Sequence, residues 1–252
     1  MRSAEPLKPE MGRLVEKTWL LSKHVCDETG HFDVLPDANF GVGVVLTETR
    51  CRMVLGGPIT QQFSPYVGDK EIYWLRFRPG KMPRIADVSP RDLVNNSGMI
   101  LDQILNVDSD ELGERLLAAS CVNSRLKILS SLLRQMESTP LCQDRRCRQI
   151  LEMVDATDGA ISVNGLSQEF GLSSRTVRRL LVDQVGLSPK QILVNVRLQR
   201  TIAKLNSQVH PVRFSELASE CGFTDQSHMI KDFRKLTGRL PSSFHECQSC
   251  CV

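Results

Sequence analysis

Hydrophobic and polar positions change their spacing twice along the chain, near residue 89 and near residue 139. Up to about residue 85, apolar residues come in short runs such as Gly41–Leu46 and residues 72–77, separated by turn-forming Gly and Pro. Short runs of this kind, without a helical period, predict β-strands. We therefore expect a small β-barrel or sandwich in the first part of the chain.

Helical spacing begins at Ser89, a suitable N-cap with Pro90 at the first helical position. A second helical stretch is predicted over residues 109–137, and Ser138-Thr139-Pro140 ends it. The N-terminal domain is therefore predicted to span residues 1–138, with strands first and helices after them. The apolar residues that continue the first helical stretch are Leu93, Val94, Ile100, Leu101, Ile104 and Leu105.

The second helical stretch carries a seam of apolar residues spaced alternately four and three positions apart. This is the spacing of a contact between two helices. Two interpretations stay open: a homodimer contact through residues 109–137, or packing of this face on its own domain. The seam residues are Val122, Leu126, Leu129, Leu133 and Met136.

Beyond residue 139, the pattern predicts an all-α domain over residues 139–246, followed by a cysteine-rich tail at 247–252. Together with the first part, this gives an α+β protein of two domains. The predicted helices span residues 143–156, 163–170, 174–185, 189–206, 214–221, 226–237 and 241–246.

Two stretches of this domain repeat each other. Leu166 and Gly171 correspond to Leu217 and Gly222 at an offset of 51 residues, and Leu181 and Gly186 correspond to Phe233 and Gly238 at an offset of 52. Each copy has a short helix, a turn that opens on Gly, a second helix and a Gly-x-x-Pro exit. Small residues, Ser167 and Ala218, stand where the second helix would cross the first.

This pattern predicts two helix-turn-helix units, in which the second helix presents its N-terminal half to a DNA groove. A plain helical bundle with similar turns is the alternative. The predicted helix at 189–206 would join the units over about 27 Å, at 1.5 Å per residue. Adjacent major grooves on one side of a duplex lie about 34 Å apart, so one chain could reach both.

Residues 143–245 resemble the DNA-binding domain of the AraC/XylS transcriptional regulators. The residues that carry the resemblance are the two copies, above all GFTDQSHMIKDFRKLTGRLPSSF at 222–244. The resemblance implies two helix-turn-helix units joined by one long helix. The N-terminal half resembles more weakly the sensor domain of one branch of the family, through Leu35-Pro36-Asp37, Gly56-Gly57-Pro58 and the stretch at 75–80.

Mapped onto this sequence, the resemblance implies two sets of DNA-reading residues, one in each helix-turn-helix unit. Arg pairs with guanine and Gln with adenine, whereas Ser more often holds phosphate, so Arg175 and Arg178 are the candidates for base contacts. For each Arg a phosphate contact or a solvated face is the alternative. The first set is Ser173, Ser174, Arg175, Arg178 and Arg179, and the second is Asp225, Gln226, Ser227, His228, Lys231 and Arg234.

Two departures from the family pattern, Ile230 and His245, lead us to expect less base specificity from the second set. The resemblance also implies a β-barrel sensor whose ligand is unknown. Trp74 and Arg76 lie near a predicted turn and are candidates for lining its pocket. A core Trp and a surface Arg are the alternative interpretation.

Charge follows the same division. Residues 142–245 carry 15 Lys and Arg against 10 Asp and Glu, whereas residues 1–141 carry 17 against 18. A basic part of this kind indicates double-stranded DNA as a partner, although a modest excess also arises by chance. No run approaches the roughly 20 apolar residues of a membrane span, so we expect no membrane partner and a cytoplasmic location.

Motifs for enzymatic or cofactor chemistry are incomplete. Gly41–Leu46 begins like a dinucleotide-binding loop, but Leu46 replaces the third Gly. The histidines are scattered, and no metal or cofactor is expected. The nine cysteines are expected to be reduced thiols. In the tail, Cys247, Cys250 and Cys251 lie beside His245, a pattern compatible with metal binding, with redox sensing or with an unstructured oxidisable end.

The expected function is a sequence-specific transcription regulator, not an enzyme, controlled by a small molecule, a partner protein or thiol redox state. The resemblance favours activation through RNA polymerase over repression. The alternative from another class is a DNA-alkylation repair enzyme that uses the same DNA-binding domain. That chemistry would need a cysteine-rich zinc site, whereas Cys26, Cys51 and Cys121 form no close pair in the sequence.

Overall fold

The first part of the protein is built on one antiparallel sheet. The structure, a computed structural model, describes residues 6–7, 13–22, 24, 26–84, 88–96, 98–100, 108–137, 139–207 and 213–244. The strands are β1 (Pro6–Leu7), β2 (Val15–Leu21), β3 (Gly41–Leu46), β4 (Cys51–Gly56), β5 (Glu71–Phe77) and β6 (Met99–Ile100). They lie in the order β1-β2-β5-β3-β4-β6.

Alternation along the strands gives the sheet two different faces. On β5, Tyr73, Leu75 and Phe77 are buried in the main hydrophobic cluster of the protein. Trp74 and Arg76, between them, face a cavity on the other side of the sheet. Two segments, residues 31–37 and 59–66, close this cavity, and we call them its cover. Isolated bridges join them between His31 and Tyr66, Val34 and Phe63, and Asp37 and Ile59.

The helix predicted from Ser89 is wrong beyond its first turn. Ser89 caps a single turn of 3-10 helix, Pro90–Leu93. Asn95 then takes a left-handed backbone conformation (φ 58°), which Asn tolerates better than most residues and which ends the turn. The chain continues into β6, which pairs with β4. Leu101, Ile104 and Leu105 lie outside the described residues.

The single helical stretch predicted over residues 109–137 is two helices, α1 (Ser109–Ala118) and α2 (Val122–Met136). No Gly or Pro marks the break, so local sequence did not reveal it. A tertiary contact stabilises it: Nε of Arg125 donates to the carbonyl of Leu116 (3.0 Å) at the end of α1. Helix ends leave such carbonyls without intrahelical partners.

The apolar seam of α2 packs inside its own chain. Four of its residues are at most 7% exposed and belong to the main hydrophobic cluster. Of the two interpretations, packing on its own domain is therefore the one that this face adopts. A homodimer through residues 109–137 stays a prediction. The four residues are Leu126, Leu129, Leu133 and Met136.

The rest of the described chain is helical, close to the predicted boundaries, and the predicted α+β fold class is confirmed. No helix among the described residues is both long and apolar enough to cross a membrane. The helices are α3 (Arg145–Ala156), α4 (Val163–Glu169), α5 (Ser174–Val185), α6 (Pro189–Ser207), α7 (Phe214–Glu220), α8 (Gln226–Thr237) and α9 (Pro241–Phe244).

The repeat in the sequence is a repeat in the structure: α4 and α5 form one helix-turn-helix and α7 and α8 form another. Each turn passes through a left-handed glycine, Gly171 (φ 61°) and Gly222 (φ 73°). The same hydrogen bond closes both turns, from the Leu172 amide to the Ser167 carbonyl (2.9 Å) and from Phe223 to Ala218 (3.0 Å).

Helix α6 is shared between two hydrophobic clusters. Ile192 and Leu193, in its first half, are buried with the sheet, α2, α3 and α5 in the main cluster. Leu198 and Ile202, in its second half, are buried with α7, α8 and α9 in a second cluster. Leu35 of the first part also belongs to the second cluster, so packing crosses the predicted domain boundary at residue 138.

The matched glycines make the turn geometry testable. We expect Gly171→Ala to lower the free energy of unfolding by about 1–2 kcal/mol, the cost of a left-handed conformation for an L-residue. Gly222→Ala is expected to cost more, because its Cβ would also lie 2.8 Å from Cβ and 3.0 Å from Cα of Ala160. At Gly171 an added Cβ meets nothing within 4 Å. Urea unfolding of both variants measures the difference, and equal losses would contradict this account.

Candidate functional site

The first set of predicted DNA-reading residues lies at the N-terminal half of α5, and we call it the first reading surface. All of its side chains are exposed. Its three Arg residues share one side of the helix, since residues three and four apart are neighbours. The opposite side of α5 buries Val177, Leu181 and Val185 and so anchors the helix. The surface consists of Ser173, Ser174, Arg175, Arg178 and Arg179.

The two serines of this surface also hold the helix in place. The hydroxyl of Ser173 accepts a hydrogen bond from the Thr176 amide (3.1 Å) and thereby caps α5. The hydroxyl of Ser174 lies 3.0 Å from that of Ser167, where the two helices of the unit cross. A small residue at that crossing was predicted from the sequence, and Ala218, its counterpart, is fully buried.

The second set lies on α8 and the residue before it, and we call it the second reading surface. Met229, Phe233 and Thr237 are buried on the other side of α8. They stand 52 positions after the buried residues of α5, so both helices are anchored in the same way. The surface consists of Asp225, Gln226, Ser227, His228, Lys231 and Arg234, of which all but the partly buried His228 are exposed.

Several side chains of the second reading surface already have partners within the protein. The carboxylate of Asp225 accepts from the His228 amide (2.7 Å) and caps α8. The His228 ring stands edge-on to Phe223, with 5.8 Å between centroids, and its Nε2 lies 3.2 Å from Asp232. Ile230 is partly buried against the second cluster. Each surface therefore has two polar side chains that are engaged within the protein, Ser173 and Ser174 on the first and Asp225 and His228 on the second.

A basic groove runs beside the first reading surface. It includes two cations that the sequence analysis did not single out: Lys190, in the first turn of α6, and Arg91 of the N-terminal part. Ser188 and Gln191, on either side of Lys190, form a capping pair that marks the start of a helix: Ser188 Oγ donates to Oε1 of Gln191 (2.7 Å). This pair is the feature of the sequence that places Lys190 in the first turn of α6. The groove is lined by Arg91, Val163, Ser174, Arg175, Arg178, Arg179, Val182, Asp183, Ser188, Pro189 and Lys190.

Trp74 and Arg76 line a cavity of about 230 Å³ between the sheet and its cover. Arg76 is buried, with 8% of its surface exposed, so the alternative of a surface Arg does not describe it. Most of the wall is apolar, and the polar side chains are Asp37, Asn39, Arg76 and Gln199. The sequence did not reveal the other lining residues, which include Trp19, Leu21, Phe32, Val34, Leu35, Ile59, Phe63 and Ile72.

Three glycines make room for the Trp74 ring. A Cβ added at Gly41, Gly43 or Gly56 would come within 2.7, 3.1 or 2.4 Å of indole atoms. The indole therefore lies against the backbone of β3 and β4. This explains the Gly-x-Gly run of β3 in structural terms, without a dinucleotide.

The buried Arg76 is surrounded by more negative than positive charge. Its Nε lies 3.1 Å from Oδ2 of Asp37 and 3.7 Å from Oε2 of Glu16. The amide oxygen of Asn39, turned toward the guanidinium, accepts a further hydrogen bond. The pKa of the nearby Asp155 on α3 is raised, mainly by burial and to a lesser extent by the Glu16 carboxylate. The Arg76 guanidinium is therefore close to at least two carboxylates, those of Asp37 and Glu16.

The cover of the cavity is attached to α6 and to the second helix-turn-helix. On α6, the side-chain amides of Asn195 and Gln199 donate to the carbonyls of Ile59 (3.1 Å) and Pro36. On the second unit, Nη2 of Arg239 lies 2.7 Å from Oδ2 of Asp33. The walls of the cavity are therefore in direct contact with the part that carries the reading surfaces.

The first helix-turn-helix is attached separately. Arg91, in the 3-10 turn, forms an ion pair with Asp183 of α5 and donates to the Val182 carbonyl (3.2 Å). Gly186, at the end of α5, lies so close to this turn that an added Cβ would meet Val94 at 2.5 Å.

Thiols and metal ligands form no cluster in the described part of the chain, where no group of three or more His, Cys, Asp or Glu side chains could hold a metal ion. Cys26 is half-buried, Cys51 is buried and Cys121 is exposed. The tail cysteines and His245 lie outside the described residues.

Residues 166–246 match the family model described as a helix-turn-helix domain. The HTH-type transcriptional activator RhaS of Pectobacterium atrosepticum is 30% identical over 83 residues, which cover 33% of this chain and 29% of RhaS. The uncharacterized HTH-type transcriptional regulator YidL of Escherichia coli K12 is 24% identical over 182 residues, which cover 69% of this chain and 59% of YidL.

Among solved structures, apo ToxT K231A from Vibrio cholerae strain SCE256 has a TM-score of 0.51 and 11% identity, covering 97% of this chain and 99% of that chain. At this identity the similarity shows the fold alone. The matches to RhaS and YidL span 29% and 59% of those relatives' lengths, less than two thirds in both cases.

The described thiols differ enough in environment to predict their reactivity. The Ser124 hydroxyl and amide lower the pKa of the exposed Cys121 thiol, whereas burial raises that of Cys147 to about 12. At pH 8 the thiolate fraction of Cys147 would be on the order of one in ten thousand. We expect iodoacetamide to alkylate Cys121 long before Cys147, as measured by peptide mass spectrometry. Both should react in urea; equal rates in the folded protein would contradict the assignment.

Proposed function

We propose that the protein is a DNA-binding transcription regulator of the AraC type, because residues 166–246 match the family model of a helix-turn-helix domain. In this proposal its two helix-turn-helix units read two adjacent major grooves of one duplex. The observation that carries the proposal is the pair of equivalent exposed helices, α5 and α8, each anchored by buried residues at matching positions. Helix α6, which joins the two units, has 19 residues and is therefore about 28 Å long.

The two surfaces would contribute differently. On α5, Arg175 and Arg178 are proposed to contact guanine edges, with Arg179 and Lys190 on flanking phosphates. On α8, Gln226 is the side chain suited to a base, while Lys231 and Arg234 are suited to phosphates. Since α5 offers two Arg residues suited to guanine edges and α8 offers one Gln suited to a base, we propose that most sequence specificity comes from α5.

The N-terminal part is proposed to be the sensor. Its cavity is large enough for a small molecule, and its walls contact α6 through Asn195 and Gln199. A ligand that moved these walls would change the position of the helix that joins the two readers. A bound small molecule is therefore our proposed signal, ahead of a partner protein or thiol oxidation.

By analogy with the relative named as an activator, RhaS, we propose activation through RNA polymerase, in the cytoplasm where the DNA lies. The alternative, an alkylation-repair enzyme, has less support. Its zinc site would require clustered cysteines, and Cys26, Cys51 and Cys121 lie in three different environments. A methyl-transfer assay with alkylated DNA tests that alternative, and transfer to a protein thiol would establish it.

Substitution of Arg178 tests DNA reading by α5. With operator DNA identified by genome-wide mapping of bound sites, Arg178→Ala should weaken binding by about 1–3 kcal/mol if the residue contacts a base. A phosphate contact alone would instead lower the salt dependence of binding by about one ion. Fluorescence anisotropy over a range of salt concentrations separates the two. Arg50→Ala, at an exposed Arg in the turn between β3 and β4, is the control and should bind like the unmodified protein.

The two-groove arrangement predicts a divided footprint. Hydroxyl-radical footprinting should show two protected regions about one helical turn, or 10 base pairs, apart. Arg178→Ala should weaken one region and Lys231→Ala the other, because the two residues lie on different helices. A single protected region that both substitutions weaken equally would rule out reading by two units of one chain.

A further inference from the structure

The sensor cavity has a chemical character that selects among ligands. Its body is apolar and aromatic, whereas its polar side chains, Asp37, Asn39 and Arg76, contact one another at one end next to Gln199 of α6. A cavity with this division fits an amphipathic molecule that has an apolar body and one polar head. Cavities of about 150 Å³ accept benzene, so one of about 230 Å³ holds a slightly larger molecule.

The aromatic wall offers a flat platform. Because one side of the Trp74 indole lies over Gly41, Gly43 and Gly56, the opposite side is the one that faces the cavity. Trp19 lines the same space. Indole faces attract cations through the electrostatic field of the ring, in addition to their apolar contact.

At the polar end, Arg76 is the one cation among the described lining residues, and it is already paired with an anion. Arg76 pairs with Asp37 at 3.1 Å, and Glu16 lies behind it at 3.7 Å with a buried Oε2 that has no hydrogen-bond partner in the described part of the chain. Lys17 and Arg78 act on the neighbouring Asp155, and neither lines the cavity. An anionic head would share Arg76 with Asp37 and Glu16 and would lie close to both carboxylates, whereas a cationic head would add a partner for a carboxylate.

We propose that the ligand of this cavity is a small amphipathic cation, such as a protonated alkylamine, whose charged head contacts Asp37 and whose apolar body lies on Trp74. The inference deepens the proposed function, since it names the class of effector that the regulator would sense. It also gives the signal a route, because the Gln199 amide joins Pro36, the residue before Asp37, to α6.

Both tryptophans of the chain, Trp19 and Trp74, line the cavity, so intrinsic fluorescence reports its occupancy directly. The test titrates the full chain at pH 7 with three probes of equal length: octylamine, octanol and octanoate. We expect octylamine to produce a saturable change with a dissociation constant at least about tenfold below that of octanoate. Octanoate binding as tightly as octylamine would overturn the proposal, and so would the lack of a saturable change with octylamine.

The variant Asp37→Asn should remove the preference for octylamine over octanoate. Glu71→Gln is the matched control: Glu71 also pairs with an Arg, Arg125, but lies outside the cavity lining, so the preference should be unchanged. Retention of the preference in Asp37→Asn would contradict the assignment. If that variant does not fold, the ranking of the three probes on the unmodified chain still decides.

This experiment uses no DNA, and the footprinting described above uses no ligand. Failure of the ligand class and failure of the regulator hypothesis are therefore distinguishable. A chain that protects DNA but prefers octanoate is a regulator with a different effector, whereas a chain that binds octylamine without protecting DNA has a different function.

Discussion

The packing of α6 into two hydrophobic clusters is the constraint on which the rest of the structure depends. Ile192 and Leu193 fix its first half to α5 and the sheet, and Leu198 and Ile202 fix its second half to α7 and α8. Because protein interiors are close-packed, neither end of the helix can rotate without disturbing one of the clusters. The relative orientation of α5 and α8 is therefore set by buried side chains that belong to neither reading surface.

The same helix is where the first part of the chain meets the reading surfaces. Polar contacts from Asn195 and Gln199 to backbone carbonyls of the cavity cover are directional, whereas the packing of Leu35 into the second cluster is not. Asn195 is buried, so leaving its amide without a partner would cost about 1–3 kcal/mol. The hydrogen bonds therefore hold the cover in one position on α6, so that a movement of the cover is passed to the helix.

Much of the helical part follows from local sequence, because its determinants are local. A left-handed glycine such as Gly222, a cap such as Asp225 and a buried residue every fourth position recur at fixed offsets. The cavity could be predicted only at Trp74 and Arg76, since its walls come from segments far apart in the chain. The break between α1 and α2 and the strand after Asn95 were missed because tertiary contacts decide them.

The burial of Leu35 in the second cluster has a practical consequence. A fragment that begins near residue 139 would leave behind Leu35, the 3-10 turn against Gly186, and the carbonyl that Asn195 binds. Its newly exposed apolar surface would favour association or loosened packing. Failure of such a fragment to bind DNA would report damage to the reader itself, so the two parts are better separated by point substitutions than by truncation.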